Sequence, residues 1–171
     1  MDDVEIVDYD PRWPRLFDEE ARRLRTVLDP SLIVGLEHFG STAIPGLSAK
    51  PIIDILVAVR SLAAAQATFV EALRGLDYVY WADNPKKDRM FFVKGMPPYG
   101  SKRTHHVHVT EPQGAMWQRL VFRDYLRAHP EEAAVYERLK KRLAAEHPTD
   151  REAYTDAKTA YVDSVMRKAA G

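Results

Sequence analysis

The hydrophobic pattern of this 171-residue chain changes type at Pro112. Before that residue, short runs rich in β-branched side chains predict strands at about 33–39, 52–59, 78–81, 89–93 and 104–109. Helical spacing and a Ser61 cap predict helices over 13–28 and 61–73. After it, the apolar period predicts only helices, at about 115–128, 131–146 and 150–168. The segregation predicts an α+β fold, a β-sheet packed with helices and followed by a C-terminal helical segment.

The composition indicates one folded unit that needs no disulfide or structural metal. With 46% hydrophobic and 29% charged residues, the chain is long enough to bury one substantial core. We therefore expect a single domain over 1–171, with a sheet region at about 31–110 and C-terminal helices at about 113–169. The absence of cysteine excludes disulfides, thiolate metal sites and a cysteine nucleophile.

The charge balance argues against polyanion or membrane partners. Lys plus Arg equals Asp plus Glu at 25 each, so no whole-molecule field favours nucleic acid or an anionic bilayer. The first five residues are acidic where a secretory signal would be basic and then apolar. We expect a cytoplasmic protein.

The segment between the first two predicted strands carries the strongest chemical pattern. A strand that runs into Gly40-Ser41-Thr42 lets backbone N–H groups and hydroxyls approach phosphate oxygens. Asp54 on the next strand can hold a divalent cation against those phosphates, and Lys50 adds a positive charge nearby. The alternative is a plain turn whose polar groups satisfy loop backbone.

A second pattern is the His105-His106-Val107-His108 run. Alternation along a strand puts His106 and His108 on one face, where they can bind metal or phosphate or carry a proton. With Asp54, and with His38 as a further candidate, they would form a site suited to a transition metal (zinc, manganese or iron) rather than magnesium. Histidines that are only hydrogen-bonded beside a cleft give the same pattern.

Several segments together resemble the GrpB family in order and spacing. They are 7–14 (VDYDPRWP), the block from His38 to Asp54, 89–92 (RMFF), 105–108 (HHVH), 122–127 (FRDYLR) and the pair Tyr136 and Lys140. The resemblance implies a nucleotidyltransferase-like fold with a nucleotide and divalent-metal site (Mg or Mn, with Zn as an alternative). It also implies a link to coenzyme A biosynthesis, since some members are fused to a dephospho-coenzyme A kinase.

One position departs from the pattern of the wider nucleotidyltransferase superfamily. Active members place a second carboxylate two residues after the first, on the same face of the strand, where both reach the metal. Here that position is Leu56. His106 or His108 is therefore expected to supply the missing ligand or base.

Five further basic residues are candidates for phosphate contacts. They are Arg89, Arg103, Arg123, Lys140 and Lys158. Arginine suits bidentate phosphate contacts, although strand ends often carry it simply as a solvent-facing residue. Lys158 lies within an aromatic and apolar stripe, where it either keeps its ammonium in water or reaches into the cleft.

The leading hypothesis is a nucleotidyltransferase that uses a nucleoside triphosphate and an unidentified small acceptor. Gly40, Ser41 and Lys50 would hold the phosphates and Asp54 the metal. The alternatives are an accessory domain that binds a nucleotide or coenzyme A without turnover, favoured by Leu56, and a histidine-ligated metallohydrolase.

Overall fold

The computed structural model describes residues 3–171, and the first two residues of the predicted domain lie outside that range. Five helices surround a five-stranded sheet. The helices are α1 (Trp13–Val27), α2 (Leu62–Arg74), α3 (Arg119–Ala128), α4 (Pro130–Glu146) and α5 (Arg151–Ala170). The strands are β1 (Ile33–Phe39), β2 (Ile53–Val59), β3 (Tyr78–Tyr80), β4 (Arg89–Lys94) and β5 (His105–Thr110). This confirms the predicted α+β class.

The sheet is mixed, with strand order β1-β2-β5-β4-β3. Only the central pair, β2 and β5, is parallel, and the other three pairings are antiparallel. Because β2 is central and runs parallel to β5, almost every side chain of Ile53–Val59 is buried, as expected for such a strand. The sheet therefore brings β2 and β5, which are distant in sequence, into direct register.

The two faces of the sheet have different roles. One face forms the main hydrophobic core with α1 and α2, through residues such as Ile55, Val107 and Phe92. A second apolar cluster joins α3, α4 and α5 to Ile44 and Leu47 of the β1–β2 loop. The C-terminal helices thus pack on the loop that carries the Gly-Ser motif.

Three local predictions needed correction. The first of the C-terminal helices begins at Arg119 and not near 115, because Gly114 and Trp117 donate backbone hydrogen bonds that close successive turns. The spacing of Thr149 and Glu152 predicts a capping box, but Asp150 caps α5 by accepting from the Ala153 N–H at 3.0 Å. Strand β3 ends at Tyr80, one residue earlier than predicted.

In residues 3–171, none of the helices has the length and apolar content needed to cross a bilayer.

Candidate metal and nucleotide site

Asp54, His106 and His108 meet on one face of the sheet. Asp54 pairs with His106 across the parallel β2–β5 ladder, and His108 is two residues further along β5. Asp54 Oδ1 lies 3.3 Å from His106 Nδ1 and 3.6 Å from His108 Nε2. One potential ligand atom from each residue falls within 4.8 Å of the others. The predicted sharing of a face by the two histidines is confirmed, with Val107 buried on the opposite face.

The protonation states suit a ligand group. Burial lowers the pKa of His106 to about 4, so its ring is neutral at pH 7 and can offer a lone pair. Burial opposes ionisation of Asp54, but hydrogen bonds from His106 and His108 outweigh it and hold the pKa of this carboxyl below its usual value. The three residues combine one carboxylate with two imidazoles.

The Gly-Ser motif lies directly against Asp54. Gly40 has φ = 74°, and a β-carbon added there would be 2.6 Å from Asp54 Oδ2. Ser41 begins a short 3-10 helix, Ser41–Ala43, and is half-buried. The backbone at Gly40 can come this close to the carboxylate because no side chain intervenes.

Thr42 is committed to the interior of the loop. Its Oγ1 donates to the Ile52 carbonyl at 3.1 Å and is 2.9 Å from His38 Nε2. The His38 ring stacks on Phe17 of α1 at 4.8 Å, on the face opposite Asp54. The suggested fourth metal ligand, His38, is therefore not part of the group, and Thr42 holds the loop.

Two lysines lie against the ring of Tyr154 of α5, and a third, Lys140, lies against Tyr136 of α4. Lys50 Nζ and Lys158 Nζ lie 4.9 and 5.0 Å from the centre of the Tyr154 ring. Burial, reinforced by the charge of Lys158, lowers the pKa of Lys50. Burial and the charge of Lys158 also lower the pKa of Lys140, to about 6. Buried amines that repel one another are an environment that a bound anion would relieve.

Helix α4 fixes the loop that carries Lys50. Glu137 accepts a hydrogen bond from the Ser48 N–H at 2.7 Å, while Lys140 Nζ donates to the Ser48 carbonyl at 2.5 Å. Both backbone groups of one buried residue are thus held by side chains one helical turn apart. Lys140 is accordingly a positioning residue for the loop.

The three predicted arginines occupy different surroundings. Arg103 Nη1 lies 3.4 Å from His106 Nε2, beside the candidate metal ligands. Arg89 pairs with Asp88 at 2.8 Å. Arg123 is buried and donates to the His38 carbonyl at 2.9 Å, which joins α3 to the end of β1. Of the three, the structure brings only Arg103 to the histidines, and it uses Arg123 as a brace.

Two aromatic residues beside the histidines were not predicted from the sequence as site residues. Phe91 contacts His106 and His108, with ring centres 5.0 and 4.8 Å apart. Trp81 contacts Phe91 in turn, at 5.6 Å. Predicting their role requires the pairing of β4 with β5, which places Phe91 opposite His108. That pairing is a property of the tertiary structure.

The chain belongs to the GrpB family. It matches the family described as GrpB protein over residues 3–168. It is 50% identical to a UPF0157 protein of Pseudomonas aeruginosa, covering 98% of this chain and 68% of that one. It is 38% identical to the glutamate-rich protein GrpB of Alkalihalophilus pseudofirmus, over 97% of this chain and 95% of that one.

Two further similarities bear on fold and context. The crystal structure of conserved protein GrpB from Enterococcus faecalis superposes with a TM-score of 0.84 at 34% identity, covering 96% of each chain. A dephospho-CoA kinase of Mycolicibacterium paratuberculosis is 31% identical over 97% of this chain, which spans 46% of that protein. The first similarity agrees with the mixed α+β architecture.

Proposed function

We propose that this protein is a metal-dependent nucleotidyltransferase that moves a nucleotidyl group from a nucleoside triphosphate to a small acceptor. The observation that carries the proposal is the convergence of Asp54, His106 and His108 within 4.8 Å. The glycine of the Gly-Ser motif touches the same carboxylate. Metal ligands and a close approach of bare backbone are what this chemistry requires in one place.

The donor set fits a divalent cation. Two imidazoles and a carboxylate suit manganese or zinc better than magnesium, which prefers oxygen ligands and water. Such an ion, when bound, supplies positive charge that stabilises phosphoryl oxygens during transfer. Asp54, His106 and His108 are the residues that would hold it.

The missing second carboxylate has a counterpart across the ladder. Leu56 is fully buried and offers no oxygen, but His108 lies directly opposite it on β5. On β1, the other neighbour of β2, Glu37 lies opposite Leu56. The Glu37 carboxylate is 3.3 Å from the Arg123 guanidinium. We assign the second ligand to His108, because the charge of Glu37 is already paired.

The remaining residues of the site would bind and orient the phosphates. Gly40 and Ser41 would present backbone N–H groups, and Lys50 and Lys158 would neutralise the negative charge of the triphosphate. Arg103, two residues before the start of β5, would reach the same oxygens. Transfer by in-line displacement needs positioning and charge stabilisation, and no covalent intermediate with the protein.

Three specific observations favour two other outcomes. Leu56 and the similarity to a dephospho-CoA kinase favour a domain that binds a nucleotide or coenzyme A without turnover. The imidazole-rich donor set favours a metallohydrolase. The first predicts binding without any product and the second predicts hydrolysis without an acceptor, so experiment can separate both from nucleotidyl transfer.

The test is calorimetric titration of nucleoside triphosphates into metal-stripped protein, with magnesium, manganese or zinc restored in turn. We expect metal-dependent binding that Asp54→Asn weakens by at least about tenfold, since even indirect support of a metal site is worth that much. Asp163→Asn, an exposed carboxylate on α5, is the matched control and should bind as the wild type does.

Absence of binding with any metal would refute the proposed function. Where binding is found, pyrophosphate release in a screen of small acceptors supports transfer. Binding without pyrophosphate release favours the accessory domain, and phosphoester hydrolysis without an acceptor favours the metallohydrolase.

A further inference from the structure

Trp81 lies on the same face of the sheet as the candidate metal ligands. In the β3–β4 pairing, Tyr80 is opposite Phe92, which packs in the main core. The Trp81 N–H then donates to the Phe91 carbonyl at 2.9 Å and continues the ladder by one residue. Because neighbouring side chains of a strand alternate, Phe91 and Trp81 project to the opposite face, where His106 and His108 lie.

The aromatic rings form a continuous row from the sheet edge to the ligand group. Trp81 contacts Phe91 at 5.6 Å, and Phe91 contacts both His106 and His108 at 5.0 and 4.8 Å. Phe91 is 8% exposed, whereas Trp81 is 50% exposed. The row therefore ends in a large ring that is open to solvent.

Two lysines lie toward the β2 side of the ligand group, and Lys50 is close enough to Asp54 for their charges to interact. Lys50 precedes β2 and, with Lys158, surrounds Tyr154 of α5. Trp81 directly follows β3, the edge strand two positions from β5, whereas β2 is the neighbour of β5 on its other side. A ligand that crosses Asp54 thus meets ammonium groups at one end and an aromatic surface at the other.

We infer that Trp81 stacks on the nucleobase of the substrate, so that the lysines hold the triphosphate while the base lies at the edge of the sheet. This inference rests on the proposed function and names the substrate class of the same site. Stacking tolerates every base because each has a π-face, and purines present the larger one. The site therefore accepts different nucleoside triphosphates and favours purines over pyrimidines.

The experiment compares ATP with inorganic tripolyphosphate, which carries the anionic end but no ring. Each is titrated with manganese into the wild type, Trp81→Leu and Trp81→Phe, by calorimetry and by tryptophan fluorescence. We expect ATP, and not tripolyphosphate, to quench the emission that Trp81→Leu lacks. Trp81→Leu should weaken ATP binding about tenfold, as for loss of a base stack, and leave tripolyphosphate unchanged.

The two substitutions separate stacking from general packing. Trp81→Phe keeps an aromatic face and should retain most of the ATP affinity, whereas Trp81→Leu keeps apolar bulk alone. Unchanged ATP affinity in Trp81→Leu, with Asp54→Asn still weakening binding, would overturn the inference and leave the proposed function standing. If neither ATP nor tripolyphosphate binds the wild type, the proposed function fails, and the inference fails with it.

Discussion

At the residue scale, Gly40 shows why a motif of two small residues depends on its surroundings. Its φ of 74° is a conformation that a residue with a β-carbon rarely adopts. The same missing β-carbon leaves room for Asp54 Oδ2, which would otherwise be 2.6 Å away. The glycine therefore meets a backbone requirement and a site requirement together.

Gly40→Ala is expected to lose stability and metal affinity. The positive φ alone should cost about 1–2 kcal/mol, and the new methyl group should displace the Asp54 carboxylate. Urea unfolding measures the first effect, and manganese or zinc titration the second.

Gly46→Ala is the matched control. Gly46 has φ = 80°, but a β-carbon there would meet no atom within 4 Å. It should lose similar stability and keep its metal affinity. Equal metal affinities for the two variants would contradict the assigned role of Gly40.

At the element scale, the C-terminal helices organise the loop between β1 and β2. Helix α4 holds both backbone groups of Ser48 through Glu137 and Lys140. Helix α3 holds the other end of that loop, since Arg123 donates to the His38 carbonyl and Arg127 to the Ala43 carbonyl, both at 2.9 Å. The position of the Gly-Ser motif against the sheet therefore depends on helices far away in sequence.

Glu137→Ala should loosen this loop without unfolding the sheet. Hydrogen bonding from Ser48 lowers the pKa of Glu137, so the variant loses a charged acceptor for a buried N–H, at a cost of about 1–2 kcal/mol. Hydrogen exchange of the Ser48 amide should accelerate about tenfold. Glu146→Ala, which removes an exposed ion pair at 3.7 Å on the same helix, is the control. Equal Ser48 exchange in the two variants would show that Glu137 does not hold the loop.

At the scale of the whole molecule, buried neutral histidines make stability depend on pH. Burial, with a contribution from the charges of Arg127 and Arg123, lowers the pKa of His38 to about 4, and the Asp54 charge opposes this only in part. The unfolded chain takes up a proton on His38 near its ordinary pKa of about 6.5, before the folded protein does. The contribution of neutral His38 to stability is therefore present above pH 6.5 and is lost as the pH falls toward 4.

His38→Gln should flatten this dependence. The amide keeps a partner for Thr42 Oγ1 but does not titrate, so the fall in unfolding free energy between pH 6.5 and 4 should shrink by up to about 3 kcal/mol. Chemical denaturation of both proteins across this range measures the difference, which also cancels the titration of His106 and the carboxylates. Parallel curves would mean that His38 is not buried in its neutral form.

Local sequence signals were sufficient for the elements and for the direction of some side chains. The β-branched run of β2 and the helical periods after Pro112 predicted the α+β class, because hydrophobic period follows the geometry of each element. Alternation within β5 also placed His106 and His108 on one face. The ends of α3 and α5 were less certain, since competing turns and caps differ by small energies.

Only the tertiary structure decided which of these faces meet. The parallel pairing of β2 with β5 puts Asp54 opposite His106, and the β4–β5 pairing adds Phe91. Helix α5, near the other end of the chain, places Tyr154 against Lys50. The sequence by itself determined the elements and the chemistry of their side chains, because those depend on neighbours within a few residues. Strand order and helix docking depend on burying surfaces from distant segments together, so the site was decided by the fold as a whole.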